Sequence, residues 1–176
     1  MDKLKAVFLD RDGTIIYDVG YPKDPKQVQL LPGVVEALTK IKGYGFQLVM
    51  VSNQSGVGRG RISSEEAESV HHQVLADLDR HGIKLDAFYY CFHSPEERCS
   101  CRKPSPEMLV RAAKELDINL VRSFMVGDKQ IDIEAGKRAG CKTIFMGNNF
   151  VSGNLVPMPD FIASNWSEAL PYILDK

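Results

Sequence analysis

Five short apolar runs punctuate the chain: Ala6-Val7-Phe8-Leu9, Phe46-Gln47-Leu48-Val49-Met50-Val51, Ala87-Phe88-Tyr89-Tyr90-Cys91, Phe124-Met125-Val126 and Thr143-Ile144-Phe145-Met146. Short runs of this kind, bounded by turn residues, predict buried strands. Between them the apolar positions change to helical spacing. Val34, Leu38 and Ile41 share a face after Pro32 and before Gly43 and Gly45. Ala67, Val70, Val74 and Leu78 form a stripe that opens on the capping box of Ser63 and Glu66 and closes near Gly82. Ser105-Pro106 reads as N-cap and first helical position, with Leu109, Ala112 and Leu116 facing inward. Ile131, Ala135 and Ala139 carry a further helix to a C-capping Gly140, and residues 167–174 predict one last short helix.

This alternation predicts an α/β fold: an open, mostly parallel sheet with helices on both faces. In such sheets the chemistry lies beyond the carboxyl ends of the strands. Asp10 follows the first run and Ser52-Asn53-Gln54-Ser55 the second. Cys91, His93 and then Arg102-Lys103 follow the third, and Gly127-Asp128-Lys129 the fourth. Four successive units thus deliver polar, chemically capable groups to one edge. No repeat, low-complexity tract or linker interrupts residues 1–176, which read as a single domain. Residues 17–31 and 91–103 are its longest insertions.

Composition narrows the function classes. The 176 residues are 44% hydrophobic and 26% charged, enough for one sizeable core. A net charge of -1 argues against coating nucleic acid or a membrane surface. No apolar run approaches the roughly 20 residues that span a bilayer. The start, Met1 to Lys5, leads straight into the first strand and leaves no room for a signal peptide, so the expectation is a cytosolic protein.

Two stretches carry candidate chemistry. In Asp10-Arg11-Asp12-Gly13-Thr14, two carboxylates stand two residues apart at a strand end, where they repel each other and lose solvent. A turn of Asp and Gly would account for the composition. A cation between the carboxylates, with one of them attacking an electrophile, would account for the placement. In Cys91-x-His93-x5-Cys99-x-Cys101, three thiols and an imidazole fall within eleven residues, the count and softness of a closed tetrahedral zinc site. Reduced thiols beside a surface histidine are the alternative, and a Cys99–Cys101 disulfide is disfavoured by the strain of so short a loop. Cys141 stands apart as a buried thiol, while His71, His72 and His81 read as solvated.

Asp10-x-Asp12-Gly13-Thr14, Ser52, Lys103 and Gly127-Asp128-x-x-x-Asp132 match, in order, the four motifs of the haloacid dehalogenase (HAD) superfamily of phosphotransferases. The resemblance runs over nearly the whole chain. It implies a three-layer Rossmann-like fold without a large cap domain, and a Mg2+-dependent phosphatase. Phosphate-ester cleavage needs a nucleophile, a proton for the leaving alkoxide and cations for the spread negative charge. Asp10 is the candidate nucleophile, forming an aspartyl-phosphate, and Asp12 the candidate acid and base. Ser52 and Lys103 would hold phosphoryl oxygens. Asp10 and Asp128 would ligate Mg2+ through their side chains, and the resemblance adds the backbone carbonyl of Asp12. Asp132 would orient Lys103 or a metal-bound water.

The zinc loop at 91–101 is similar to that of the branch holding the heptose-bisphosphate and histidinol-phosphate phosphatases. Asp18-Val19-Gly20-Tyr21, Ser52-Asn53-Gln54-Ser55-Gly56, Arg59-Gly60 and Arg102-Lys103-Pro104 resemble the heptose enzymes. That likeness implies removal of the C7 phosphate of a heptose 1,7-bisphosphate, in building nucleotide-activated heptose for surface glycans. Histidinol phosphate is the alternative substrate. Arg11, Asp18 to Tyr21 and Asn53 to Ser55 would line the substrate site. Arg102, with Arg59 or Lys129, would take the second phosphate, while Asp18, Asn53 and Gln54 bond sugar hydroxyls. The expected partner is this small bisphosphate, acted on by a monomer with neither nucleic acid nor membrane involved. A zinc loop ending beside Arg102 and Lys103 would fix both cations.

Overall fold

The computed structural model describes residues 3–148 and 157–175. Its centre is a six-stranded sheet in the order β3-β2-β1-β4-β5-β6, with every neighbouring pair parallel. The strands are β1 (Lys5–Leu9), β2 (Phe46–Asn53), β3 (Ala87–Cys91), β4 (Phe124–Gly127), β5 (Lys142–Met146) and β6 (Phe161–Ala163). The helices are α1 (Val34–Gly43), α2 (Ser55–Gly58), α3 (Ser64–Arg80), α4 (Glu107–Glu115), α5 (Gln130–Ala139) and α6 (Trp166–Leu174).

Strand residues alternate between two apolar layers, as the two-residue period of a strand requires. Val7, Leu9, Leu48, Met50 and Val126 face a core shared with α1, α3 and α6. Ala6, Phe8, Val49, Val51 and Met125 face the other, against α4 and α5. Runs apolar at both parities are therefore the signature of a sheet covered on both sides. The Ser63/Glu66 capping box forms at the start of α3. Gly140 closes α5 at φ 86°, a left-handed conformation that favours glycine.

The structure adds what the periodicity did not predict. β6 has three residues and exposed Ile162, too short and too open for a pattern to register. α2 is a single turn directly after β2. α4 starts one residue late, with Pro106 as its N-cap. α6 starts one residue early, because the Asn165 side chain accepts the amides of Ser167 and Glu168. Among the described residues no helix is long and apolar enough to cross a membrane.

The strand order places the candidate chemistry. β1 lies between β2 and β4, the point at which successive connections turn to opposite halves of the sheet. Leu9 pairs with Val126, and the Asp10 amide donates to the Val126 carbonyl at 3.0 Å. Asp10 and the loop bearing Asp128 therefore leave the sheet side by side.

Candidate active site and cysteine–histidine cluster

The innermost group is a lysine among carboxylates. Lys103 is 1% exposed. Its Nζ donates to Asp10 Oδ1 and to the Val51 carbonyl, both at 2.8 Å, and pairs with Asp132 Oδ1 at 2.6 Å. Burial works against the ammonium, but Asp10 and Asp132 outweigh it and hold its pKa above the usual lysine value. Asp132 is fixed from its other oxygen by the Lys129 amide at 3.0 Å. Burial raises Asp132 to about 6 against the pull of Lys103. Burial also raises Asp128 to about 7, with Asp10 adding to the rise and Lys129 opposing it.

Carboxylate oxygens of Asp10, Asp128 and Asp132 lie within 4.8 Å of one another. Asp128 Oδ1 is buried with no hydrogen-bond partner among the described residues. One ammonium among three carboxylates leaves negative charge uncompensated at an all-oxygen site, which fits a hard divalent cation. Two glycines make the crowding possible. A Cβ on Gly13, at φ +79°, would stand 2.2 Å from Asp128 Oδ2, and one on Gly127 would stand 2.4 Å from Asp132 Cβ.

Asp12 is braced from behind. Arg11 Nε donates to its two oxygens at 3.3 and 3.1 Å, and Nη2 to Oδ1 at 3.1 Å. Gln54 joins the set: its Oε1 accepts from Arg11 Nη2 at 2.8 Å, and its Nε2 donates to Asp12 Oδ2 at 2.8 Å and to Ser52 Oγ at 2.9 Å. Burial raises the Asp12 pKa, with Arg11 the chief opposing influence.

Beyond these groups opens a cleft of about 390 Å³. Of the residues expected at the substrate, Asp18, Gly20, Tyr21, Asn53, Gln54, Ser55, Arg59, Arg102 and Lys129 line it, joined by Gly56 and Ile131. Lys129 Nζ bonds Asp18 Oδ2 at 2.9 Å. Burial would raise the Asp18 carboxyl, but Lys129 and the Gly20 amide outweigh it and hold it below the usual range. Arg59 pairs loosely with Glu96 at 3.8 Å. Three expectations differ from this picture. Arg11 lines a separate cavity behind Asp12, with His71 and Tyr90, so its guanidinium serves Asp12 and not the cleft. Val19 projects outward, about half exposed, and is not part of the lining. Ser52 is buried beneath the lining.

His71, expected to be solvated, is buried and hydrogen-bonded through Nδ1 to the Tyr90 hydroxyl. A signal for this was available, since position 71 lies four residues after Ala67 and three before Val74, on the apolar side of α3. Cys141 is buried as expected.

At the end of β3, Cys91 Sγ lies 3.5 Å from both His93 Nδ1 and Cys99 Sγ. Cys101 Sγ lies 3.4 Å from His93 Nδ1 and 3.6 Å from Cys99 Sγ. A tetrahedron with bonds of about 2.3 Å to sulfur and about 2.0 Å to nitrogen has edges of about 3.5–3.8 Å. The four atoms therefore match zinc in spacing as well as softness. All four cysteines are free, and the Cys99–Cys101 disulfide disfavoured from the loop length is absent. The loop packs on the turn after β2, where the Gly58 amide donates to the Phe92 carbonyl at 2.9 Å.

Residues 100–169 match the HAD-hydrolase-like family model. The chain is 41% identical over 143 residues to a D-glycero-β-D-manno-heptose-1,7-bisphosphate 7-phosphatase of Helicobacter pylori, covering 81% of this chain and 83% of that one. It is 36% identical to the Haemophilus ducreyi enzyme of the same name over 96% of this chain and 98% of that one. Among solved structures, D,D-heptose 1,7-bisphosphate phosphatase from B. bronchiseptica, complexed with magnesium and phosphate, superposes with a TM-score of 0.89 at 29% identity. That match covers 98% of this chain and 99% of the other.

Proposed function

The chain belongs to the heptose-bisphosphate phosphatase family of HAD-like phosphoric monoester hydrolases, and from that premise we propose that it removes the C7 phosphate of D-glycero-D-manno-heptose 1,7-bisphosphate. The observation that carries this reading is one cleft with two kinds of positive charge. Lys103 is sealed at its base beside Asp10, while Arg59, Arg102 and Lys129 stand around its mouth. A bisphosphate needs both: one phosphate at the centre where the bond breaks, and one at the rim where it is held.

In the proposed reaction a carboxylate oxygen of Asp10 attacks phosphorus and the bond from phosphorus to the C7 oxygen breaks. Asp12 gives its proton to the leaving alkoxide. Asp12 then takes a proton from a water that attacks the phosphoryl group, the bond from phosphorus to Asp10 breaks, and inorganic phosphate leaves. Lys103 stabilises the phosphoryl oxygens, while Ser52, buried beneath the lining, holds the Gln54 amide through its Oγ. Gln54 and Arg11 keep Asp12 aimed across the cleft, and Asp132 keeps Lys103 aimed at Asp10. Asp10 and Asp128, with the carbonyl of Asp12, would hold Mg2+, which when bound neutralises charge on the phosphoryl group and the carboxylates. Cys91, His93, Cys99 and Cys101 would hold a structural zinc with no open position.

The test is kcat/KM for both anomers of the heptose bisphosphate against histidinol phosphate, with Mg2+ and zinc-replete protein. The heptose esters are expected to turn over faster. Faster turnover of histidinol phosphate would overturn the substrate assignment. A cationic ligand should gain less from three rim cations than a second phosphate does.

A further inference from the structure

Asn53 is the last residue of β2, paired in register with Cys91 at the end of β3. Its side chain lines the cleft, which suggests a sugar contact. The amide, however, faces the chain. Nδ2 donates to the Lys103 carbonyl at 3.0 Å, and Oδ1 accepts from the Lys103 amide at 3.0 Å. This paired amide contact bridges fifty positions of sequence. It fixes the backbone of the residue whose Nζ meets Asp10, Asp132 and the Val51 carbonyl.

The two attachments differ in what they control. The contacts of Nζ set where the positive charge ends. The Asn53 contact sets where the side chain begins. Lys103 has four rotatable bonds, and a buried ammonium carries a large cost if it misses its partners. Fixing both ends removes that freedom before substrate arrives. Cys101, two residues before Lys103, would tie the same segment from the other side if the cysteine–histidine cluster holds zinc.

We propose that Asn53 is a positioning residue acting through Lys103: it aligns the phosphoryl-binding ammonium and does not select the sugar. This deepens the phosphatase reading above and rests on it. The consequence is specific. Loss of the Asn53 amide should slow the chemistry of every ester in about the same proportion, because each presents the same phosphoryl group to Lys103. A sugar contact would instead affect only esters that carry the sugar.

The experiment compares Asn53→Ala and Asn53→Asp with the parent protein, using heptose 1,7-bisphosphate and p-nitrophenyl phosphate, which has neither sugar nor second phosphate. Asn53→Asp keeps the size and the acceptor for the Lys103 amide but loses the donor. It stands in should the alanine variant melt near the assay temperature. For both esters kcat is expected to fall about tenfold or more, from loss of one or two hydrogen bonds that hold a charge in place. KM for the heptose ester should move less than about threefold. In a Lys103→Met background, Asn53→Ala should add no further loss, since the two changes remove the same interaction. A raised KM for the heptose ester with p-nitrophenyl phosphate unaffected would overturn the proposal, as would additive losses in the double variant. If the parent hydrolyses p-nitrophenyl phosphate and not the heptose ester, the substrate assignment fails alone, and the generic ester still decides the role of Asn53.

Discussion

The base of the cleft and its rim handle charge in opposite ways. At the base, Asp10, Lys103 and Asp132 are at most 5% exposed, and Lys103 reaches both carboxylates within 2.8 Å. At the rim, Asp18, Arg59, Arg102 and Lys129 keep contact with water, and their ion pairs, Lys129 with Asp18 and Arg59 with Glu96, are partly screened. Removing a charge at the base leaves its partner buried and uncompensated, which is expensive. A rim charge can exchange its partner for a phosphate at little cost. Rigidity therefore belongs to the bond that breaks, and exchangeability to the choice of ester.

The largest effect that would test this division is at the nucleophile. Asp10→Asn should lower turnover of every ester by about 10⁴-fold or more while the protein stays folded. Steady-state assays beside a circular dichroism melt would check this, and activity within a hundredfold of the parent would contradict the assignment of Asp10. Next comes Lys103→Met, expected to cost about 10²–10³ in kcat. Unlike a rim change, it should also destabilise the fold by about 3–5 kcal/mol, because Asp10 and Asp132 lose their buried partner. Denaturant unfolding reads that second cost. A lysine variant as stable as the parent would erase the contrast between base and rim.

A smaller effect is expected from the cysteine–histidine cluster. Chelation that removes one zinc per chain, counted by elemental analysis, should lower kcat/KM about tenfold, by loosening the segment that carries Arg102 and Lys103. Asp10 would be untouched. Full activity in a folded, zinc-free protein would show that the cluster does not govern the cleft. Arg102→Ala should act on substrate choice alone. KM for heptose bisphosphate is expected to rise about tenfold with p-nitrophenyl phosphate unchanged. Equal losses for both esters would move Arg102 from the rim to the base.

The same contrast marks what could be read from the chain alone. Asp10 and Asp128 stand at strand ends, where the apolar run before them announces the position, and Lys103 stands directly after the cysteine spacing. The cysteine spacing was similarly explicit. What escaped was direction. Arg11 lies between two aspartates, and a linear pattern cannot tell a guanidinium turned into the cleft from one turned behind it. Asn53 reads as a polar residue beside a substrate site, because its partner is fifty positions away and meets it only after β2 and β3 pair. β6 escaped for a different reason: three residues with one side open leave no pattern.

The smallest expected effect lies behind the base, at His71, and falls on stability more than on turnover. The ring packs against Phe88 and Tyr90, with His72 beside it on α3, while Arg11 and Glu68 share its cavity. Burial, with lesser contributions from His72 and Arg11, lowers its pKa from 6.5 to about 4. The unfolded chain therefore binds a proton near pH 6.5 that the folded protein refuses until about pH 4. Between those values the unfolded state holds more protons, so stability falls as pH falls. The contribution is fully present above 6.5 and lost as pH drops through the window toward 4. His71→Gln removes the titrating group and should flatten that part of the stability curve. Melting temperatures at pH 7.5 and 4.5 should then lie closer together than in the parent by about 5–10 °C, given about 2–4 °C per kcal/mol for a domain of this size. An unchanged acid slope would mean that the ring titrates freely, and that the layer behind Asp12 is as open to water as the rim in front of it.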